Sequence, residues 1–235
     1  MKMEVWKRSA AEAAAKMVRD EMVVGLGSGT TVTKVIQTLA KLKSKAIFVP
    51  SSSATQRLAS DLGLELGSLD THDKLDLMID GADEVDPNFN LIKGRGGAHT
   101  REKIVAGAAG RVVIAVDRTK LVKKLGERMP VPVEVLPFVR EYTIRKLAGL
   151  GGEPKLRMDT DGTPFVTDNG NHVVDVKFRS IPAPSKLEQQ TNRVPGVVEN
   201  GLFVGMADEV LVGYEGGCKT LKTKRDFLAF ARGKI

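Results

Sequence analysis

Asp80-Gly81-Ala82-Asp83-Glu84, Lys93-Gly94-Arg95-Gly96-Gly97 and Thr100-Arg101-Glu102-Lys103 lie close together in the chain. They gather acids and a lysine around a glycine-rich turn. A carboxylate there can act as a general base, and the lysine can offset developing negative charge. Gly94, Gly96 and Gly97 can turn free N–H groups toward an oxyanion. Such a set suits removal of a proton from carbon. The apolar run Leu77-Met78-Ile79 leads straight into Asp80. The cluster therefore starts where a buried strand ends, at the edge where open α/β sheets bind ligands.

Each member also has a plain structural reading. Asp83 and Glu84 suit loop capping, Lys93 suits a surface loop, and Glu102 suits a helix start whose dipole favours a carboxylate. The combination is more specific than its parts. Asp80 and Asp83 are conceivable metal ligands, but the run lacks calcium-loop spacing. The histidines (His72, His99, His172) lack zinc-ligand spacing, so no metal is expected.

A second motif, Gly25-Leu26-Gly27-Ser28-Gly29-Thr30-Thr31, joins an apolar strand to a helix. Its glycines admit close approach of an anion, and the helix start offers free N–H groups. Ser28, Thr30 and Thr31 add hydroxyls. A phosphate cradle and a ligand-free tight turn are both compatible with the loop alone. The spacing is not the dinucleotide G-x-G-x-x-G, and Phe48-Val49-Pro50-Ser51 supplies no acid for a ribose hydroxyl. No Gly-Lys-Ser/Thr follows, so nicotinamide and ATP sites are disfavoured. Asp117-Arg118-Thr119-Lys120 follows another apolar run, which makes Lys120 a second cation on the same sheet edge. Base, lysine, oriented amides and phosphate cradle together fit chemistry α to a carbonyl on a phosphorylated sugar.

Alternating strands and helices must position these groups. Period and turn residues predict strands over 21–26, 46–49, 76–79 and 111–116, and helices over 9–18, 32–42, 54–61 and 100–109. Ser53 is the expected cap of the third helix. This alternation predicts an α/β fold with a doubly wound, mostly parallel sheet. The texture changes at Met129-Pro130-Val131-Pro132, where prolines and alternating valines suggest a domain boundary and an edge strand. A helix over 138–150 and strands over 155–158, 164–167 and 172–176 follow, with turns at Asp161-Gly162 and Asp168-Asn169-Gly170-Asn171. Ser185-Lys186-Leu187-Glu188 reads as a capping box. A short strand over 197–199 closes an α+β segment, and 209–213 reads as a buried parallel strand again. The expected division is 1–128 with 206–235 as the catalytic domain and 129–205 as the smaller α+β domain.

Bulk composition narrows the function classes. With 42% hydrophobic residues over 235 positions, the chain can build a real core. No apolar run approaches the ~18 residues of a membrane span, and the charged, alanine-rich start does not resemble a secretory signal. Cys218 is the only cysteine, which suits a reducing cytoplasm. The net charge of +7 is spread among acids, and aromatics are not interleaved with the Lys219–Arg225 cluster, so nucleic acid is not an expected partner.

These motifs, in this order and spacing, resemble the A-type ribose-5-phosphate isomerases. The resemblance extends to Leu91-Ile92-Lys93-Gly94-Arg95-Gly96, Met129-Pro130-Val131-Pro132-Val133-Glu134-Val135, Val166-Thr167-Asp168-Asn169-Gly170-Asn171 and Pro195-Gly196-Val197-Val198-Glu199-Asn200-Gly201-Leu202-Phe203. It spans nearly the whole chain. It implies a Rossmann-like domain with an inserted ferredoxin-like domain, and interconversion of D-ribose 5-phosphate and D-ribulose 5-phosphate through a cis-enediolate, with no metal or organic cofactor. Glu102 matches the base and Lys93 the charge stabiliser. Asp80 and Asp83 match the acids for ring opening and hydroxyl contacts. The implied substrate contacts are Ser28, Gly29, Thr30 and Thr31, then Gly81 and Ala82, then Gly94, Arg95 and Gly96, and finally Lys120. A homodimer or homotetramer is also implied. Three positions depart from the common pattern: Ser28 replaces a frequent threonine, His99 a usual leucine, and Arg95 adds charge. A non-catalytic sugar-phosphate sensor, a sugar-phosphate deaminase and a CoA-transferase on the same scaffold are the alternatives.

Overall fold

The computed structural model describes residues 2–233. The first half of the chain contains α1 (Lys2–Ala15), β1 (Val23–Leu26), α2 (Thr30–Lys41), β2 (Ile47–Pro50), α3 (Ser53–Asp61), β3 (Leu77–Asp80), β4 (Glu84–Val85), β5 (Leu91–Ile92), α4 (His99–Ala108) and β6 (Val112–Asp117). The second half contains β7 (Val131–Val135), α5 (Arg140–Ala148), β8 (Glu153–Leu156), β9 (His172–Lys177), α6 (Pro184–Asn192), β10 (Val197–Asn200), β11 (Leu202–Phe203), β12 (Glu209–Tyr214), β13 (Gly217–Leu221) and α7 (Lys224–Ala231).

The main sheet has the order β13-β12-β6-β3-β1-β2. Its ladders are parallel except at the β12–β13 edge. Strand order reverses between β1 and β3, which both leave the sheet at the same edge. That reversal opens the crevice in which doubly wound sheets hold ligands. The sheet is covered on both faces. Along β6, Val113 and Ala115 pack with the buried residues of α1, α2 and α3. Val112, Ile114 and Val116 pack on the other face with Val105 of α4 and Phe227 and Phe230 of α7. The side-chain period of two thus feeds two separate cores.

The second sheet has the order β10-β7-β9-β8 and is antiparallel throughout. With α5 and α6 it forms the β-α-β-β-α-β ferredoxin-like arrangement. Its core of valines and leucines also takes in Ile92, Val122 and Leu125 from the first half of the chain. A small sheet, β11-β5-β4, ties the two regions together behind Lys93.

Several local expectations change. α1 begins at Lys2 and ends at Ala15, because Ala10, Ala11, Ala14 and Ala15 form its packing face and the polar start continues the same helix. The α3 cap is Ser52 rather than Ser53; its hydroxyl accepts from the Thr55 N–H. Residues 164–167 form no strand. They make only isolated bridges, Pro164 to Met158 and Val166 to His172. The Ser185/Glu188 capping box does not form. Pro184 takes the first helical position, which puts Ser185 inside the helix and leaves Ala183 as the uncapped boundary residue. The capping box that does form is Thr223 with Asp226, at the start of α7. After β6, Arg118–Lys120 form a three-residue 3-10 turn.

Candidate active site

The crevice at the β1/β3 reversal is a cleft of about 620 Å³. One wall is the loop after β1. Gly29, with φ of 89°, precedes the first turn of α2, where N–H groups at the helix start suit an anion. Gly27 is required by packing: a Cβ there would coincide with the Asp80 carboxylate. The loop after β1 therefore lies directly on the acid that ends β3. Asp80 Oδ1 accepts from the backbone N–H of Gly81 at 2.7 Å and of Ser28 at 3.3 Å.

The centre of the site is an ion cluster. Lys93 Nζ lies 2.9 Å from Asp80 Oδ2 and 3.0 Å from Glu102 Oε2. It also donates to the Gly81 carbonyl at 2.8 Å. All three charged side chains are almost fully buried. The lysine is the one polar partner that Asp80 Oδ2 and Glu102 Oε2 have among the described residues. Glu102 Oε1 accepts a 2.6 Å bond from the Ser28 hydroxyl, so this hydroxyl serves the carboxylate as well as lining the cleft.

The two acids of the cluster are driven apart. Burial and the neighbouring Glu102 charge push Asp80 up to about 7, against the pull of Lys93. Burial also opposes ionisation of Glu102, but Lys93 and the Ser28 hydroxyl outweigh it and hold its pKa below the usual value. Burial works against the Lys93 ammonium, yet Asp80 and Glu102 keep it charged well above the ordinary lysine range. At neutral pH the cluster thus holds an ionised Glu102, a cationic Lys93 and an Asp80 near its titration point. Opposed shifts of this kind mark acid–base sites.

Around the cluster, Asp83 lines the cleft and its Oδ2 accepts from the Arg95 N–H at 3.0 Å. Gly94 has a φ of 105°, open only to glycine, and the buried His99 ring packs against it. Every predicted site residue except Asp80 lines the cleft. Asp80 sits behind Lys93, Ser28 and Gly81. Among the described residues no group of three or more His, Cys, Asp or Glu side chains gathers to hold a metal.

Some of the wall was not expected from the sequence. Lys7, on α1, faces the cleft, and so do Phe165, Val166, Thr167 and Asp168 from the β8–β9 connection. Asp168 Oδ2 accepts from the Ser53 N–H at 2.7 Å, which joins this connection to the start of α3. Arg157 binds Asp175 and donates to the carbonyls of Gly94 and Arg95 at 3.0 and 2.9 Å. It therefore props the glycine loop from the ferredoxin-like side. The Val166–Asn171 turn motif was readable, but its distance from Glu102 in sequence hid the contact.

A family model described as Ribose 5-phosphate isomerase A (phosphoriboisomerase A) matches residues 47–217. The chain belongs to the ribose 5-phosphate isomerase A family. It is 54% identical over 214 residues to Ribose-5-phosphate isomerase A of Thermosynechococcus vestitus, covering 88% of this chain and 90% of that one. It is 44% identical over 229 residues to the Pyrococcus abyssi protein of the same name, covering 94% and 100%. Among solved structures, a D-ribose-5-phosphate isomerase in complex with phospho-erythronic acid superposes with a TM-score of 0.92 at 44% identity, covering 94% of this chain and 100% of that one. The Methanocaldococcus jannaschii ribose 5-phosphate isomerase A gives 0.89 at 43% identity, covering 93% and 98%. The fold expected from the sequence, a doubly wound α/β sheet with an inserted ferredoxin-like unit, is thus the isomerase A fold. No helix among the described residues is long and apolar enough to cross a membrane.

Proposed function

We propose that this chain interconverts D-ribose 5-phosphate and D-ribulose 5-phosphate, an aldose–ketose isomerisation of the non-oxidative pentose phosphate pathway. The observation that carries this reading is the contact of Glu102 with Lys93 and Ser28 in a cleft that also opens onto the α2 N-terminus. The phosphate of the substrate binds at Gly29, Thr30 and Thr31, with Lys120 and Lys7 as cations. The open-chain sugar then runs toward Glu102.

The ionised Glu102 takes the proton from C2, and the electron pair forms the C1–C2 double bond while charge moves to O1. Lys93 and the N–H groups of the 94–97 loop offset that charge. Glu102 returns the proton to C1, and the O2 hydroxyl proton moves to O1, which leaves the carbonyl at C2. Asp83, Gly81, Ala82, Arg95 and the Gly94 and Gly96 backbone hold the hydroxyls. We assign ring opening to Asp83 together with Asp80, the latter acting through Lys93 from behind the wall. Protons, electrons and atoms balance without any external reactant.

The decisive experiment is Glu102→Gln. Loss of a general base lowers turnover by roughly 10²–10⁴-fold, while binding of phospho-erythronic acid is retained. Near-normal ribulose 5-phosphate formation by that variant would overturn the assignment of the base.

The same reading divides the chain into 1–128 with 206–235 and an inserted 129–205, in keeping with a second sheet whose four strands all fall within residues 131–200. It also takes the working form as a cytoplasmic homodimer or homotetramer. In favour of a subunit contact, Phe138 is 96% exposed, with Leu136 and Tyr142 also uncovered on the same segment.

A further inference from the structure

Glu134, in the middle of β7, is fully buried and lies outside the cleft wall. Its two oxygens accept from four side chains. Oε2 takes the Thr100 hydroxyl. Oε1 takes the Thr167 hydroxyl at 2.9 Å and the amides of Asn169 and Asn171 at 3.0 and 2.8 Å. The donors belong to two different parts of the site. Thr100 is in the first turn of α4, two residues before Glu102. Thr167, Asn169 and Asn171 form the turn that ends the Phe165–Asp168 stretch of the cleft wall.

The neighbours of Thr100 are gripped in the same way. Arg101 donates to the Asp168 carbonyl and to Asn169 Oδ1, both at 2.7 Å. Lys103 donates to Glu199 and to the Asn200 carbonyl, both at 2.8 Å. The first turn of α4 is therefore held residue by residue by the ferredoxin-like unit. Burial disfavours the Glu134 charge, but its donors, Thr100 first, keep its pKa below the ordinary value. An ionised, fully satisfied carboxylate fixes direction as well as distance.

We propose that Glu134 is a positioning residue for the isomerisation, with one oxygen setting the helix turn that carries Glu102 and the other setting the turn that walls the substrate cleft. It touches no substrate. This rests on the isomerase reading above. The two oxygens make separable predictions, because helix placement governs the chemical step and the wall governs substrate retention.

The test compares Thr100→Val, Thr100→Ser and Asn171→Ala with the unaltered chain, well below every variant's Tm. A displaced base is costly, so Thr100→Val lowers kcat by about tenfold or more with little change in KM. Thr100→Ser, which keeps the hydroxyl, restores kcat. Asn171→Ala raises KM by about fivefold with kcat nearly unchanged. A merely structural role would lower Tm in all three without this split. The inference is overturned if both arms alter kcat and KM alike, or if only Tm moves. Should Thr100→Val not fold, Thr100→Ala is judged against Asn171→Ala by the same split. Absence of isomerisation by the unaltered chain would instead overturn the functional reading, and this inference with it.

Discussion

Lys93→Met removes the cation shared by two buried carboxylates and leaves the shape of the side chain nearly intact. In the parent, Nζ is 2.9 and 3.0 Å from Asp80 Oδ2 and Glu102 Oε2. With an effective dielectric of about 20, each such pair is worth roughly 5–6 kcal/mol of gross attraction. Removing one partner of a buried pair costs about 3–5 kcal/mol, since the remaining charge is stranded. Asp80 already titrates at about 7, so without Lys93 it takes up a proton first and sheds part of the penalty. Glu102 keeps the Ser28 hydroxyl but loses its main stabiliser. Without that partner the pKa of Glu102 rises. Two measurements follow from one variant. Urea unfolding at neutral pH loses about 3–5 kcal/mol. The acidic limb of kcat against pH, read as protonation of Glu102, moves to higher pH. A variant whose acidic limb stays put and whose stability falls by less than about 1 kcal/mol would refute the cluster as described.

Two further substitutions probe the support of the cluster. Gly27→Ala drives a Cβ into the Asp80 carboxylate, which the Ser28 and Gly81 N–H groups hold in place; overpacking of this kind costs about 1–3 kcal/mol, and urea titration together with kcat measures it. His99→Leu tests pH dependence. Burial lowers His99 from 6.5 to about 4, so as pH falls the unfolded chain is protonated first and stability is lost between those two values. Stability contributed by the neutral ring is complete above the unfolded value, and its loss reaches about 3 kcal/mol at the lower end of the window. His99→Leu should flatten that slope in unfolding measured across the window, and an unchanged slope would show that His99 is not its source.

Much of the site could be read in the chain because its parts are local. Leu77–Ile79 and Asp80 are adjacent, so the acid had to sit at a strand end. Glycines between β1 and α2 had to make a tight turn at a helix start. Glu102 had to fall in the first turn of α4. Where local signals were weak, reading failed. β4, β5 and β11 are two residues each, too short to have a period. β13 is a partly exposed edge strand of mixed polarity. Ser185 and Glu188 had the capping-box spacing, but Pro184 already fitted the first helical position. The stretch 164–167 has strand-like composition, yet it pairs only through isolated bridges to Met158 and His172.

By itself the sequence determined the residue types, the elements that carry them and the sheet edge they share, since each follows from neighbours within a few positions. Tertiary structure alone decided which oxygen faces which cation. It put Asp80 behind Lys93 and gave the Ser28 hydroxyl to Glu102. It brought Lys7 and the β8–β9 connection into the cleft wall, and Glu134 beneath both. Strand order and the docking of the second sheet set those distances, and both depend on contacts between residues far apart in the chain. Because the cluster is buried, those distances also set its charges: the same acids and lysine on an open loop would titrate much more like isolated side chains.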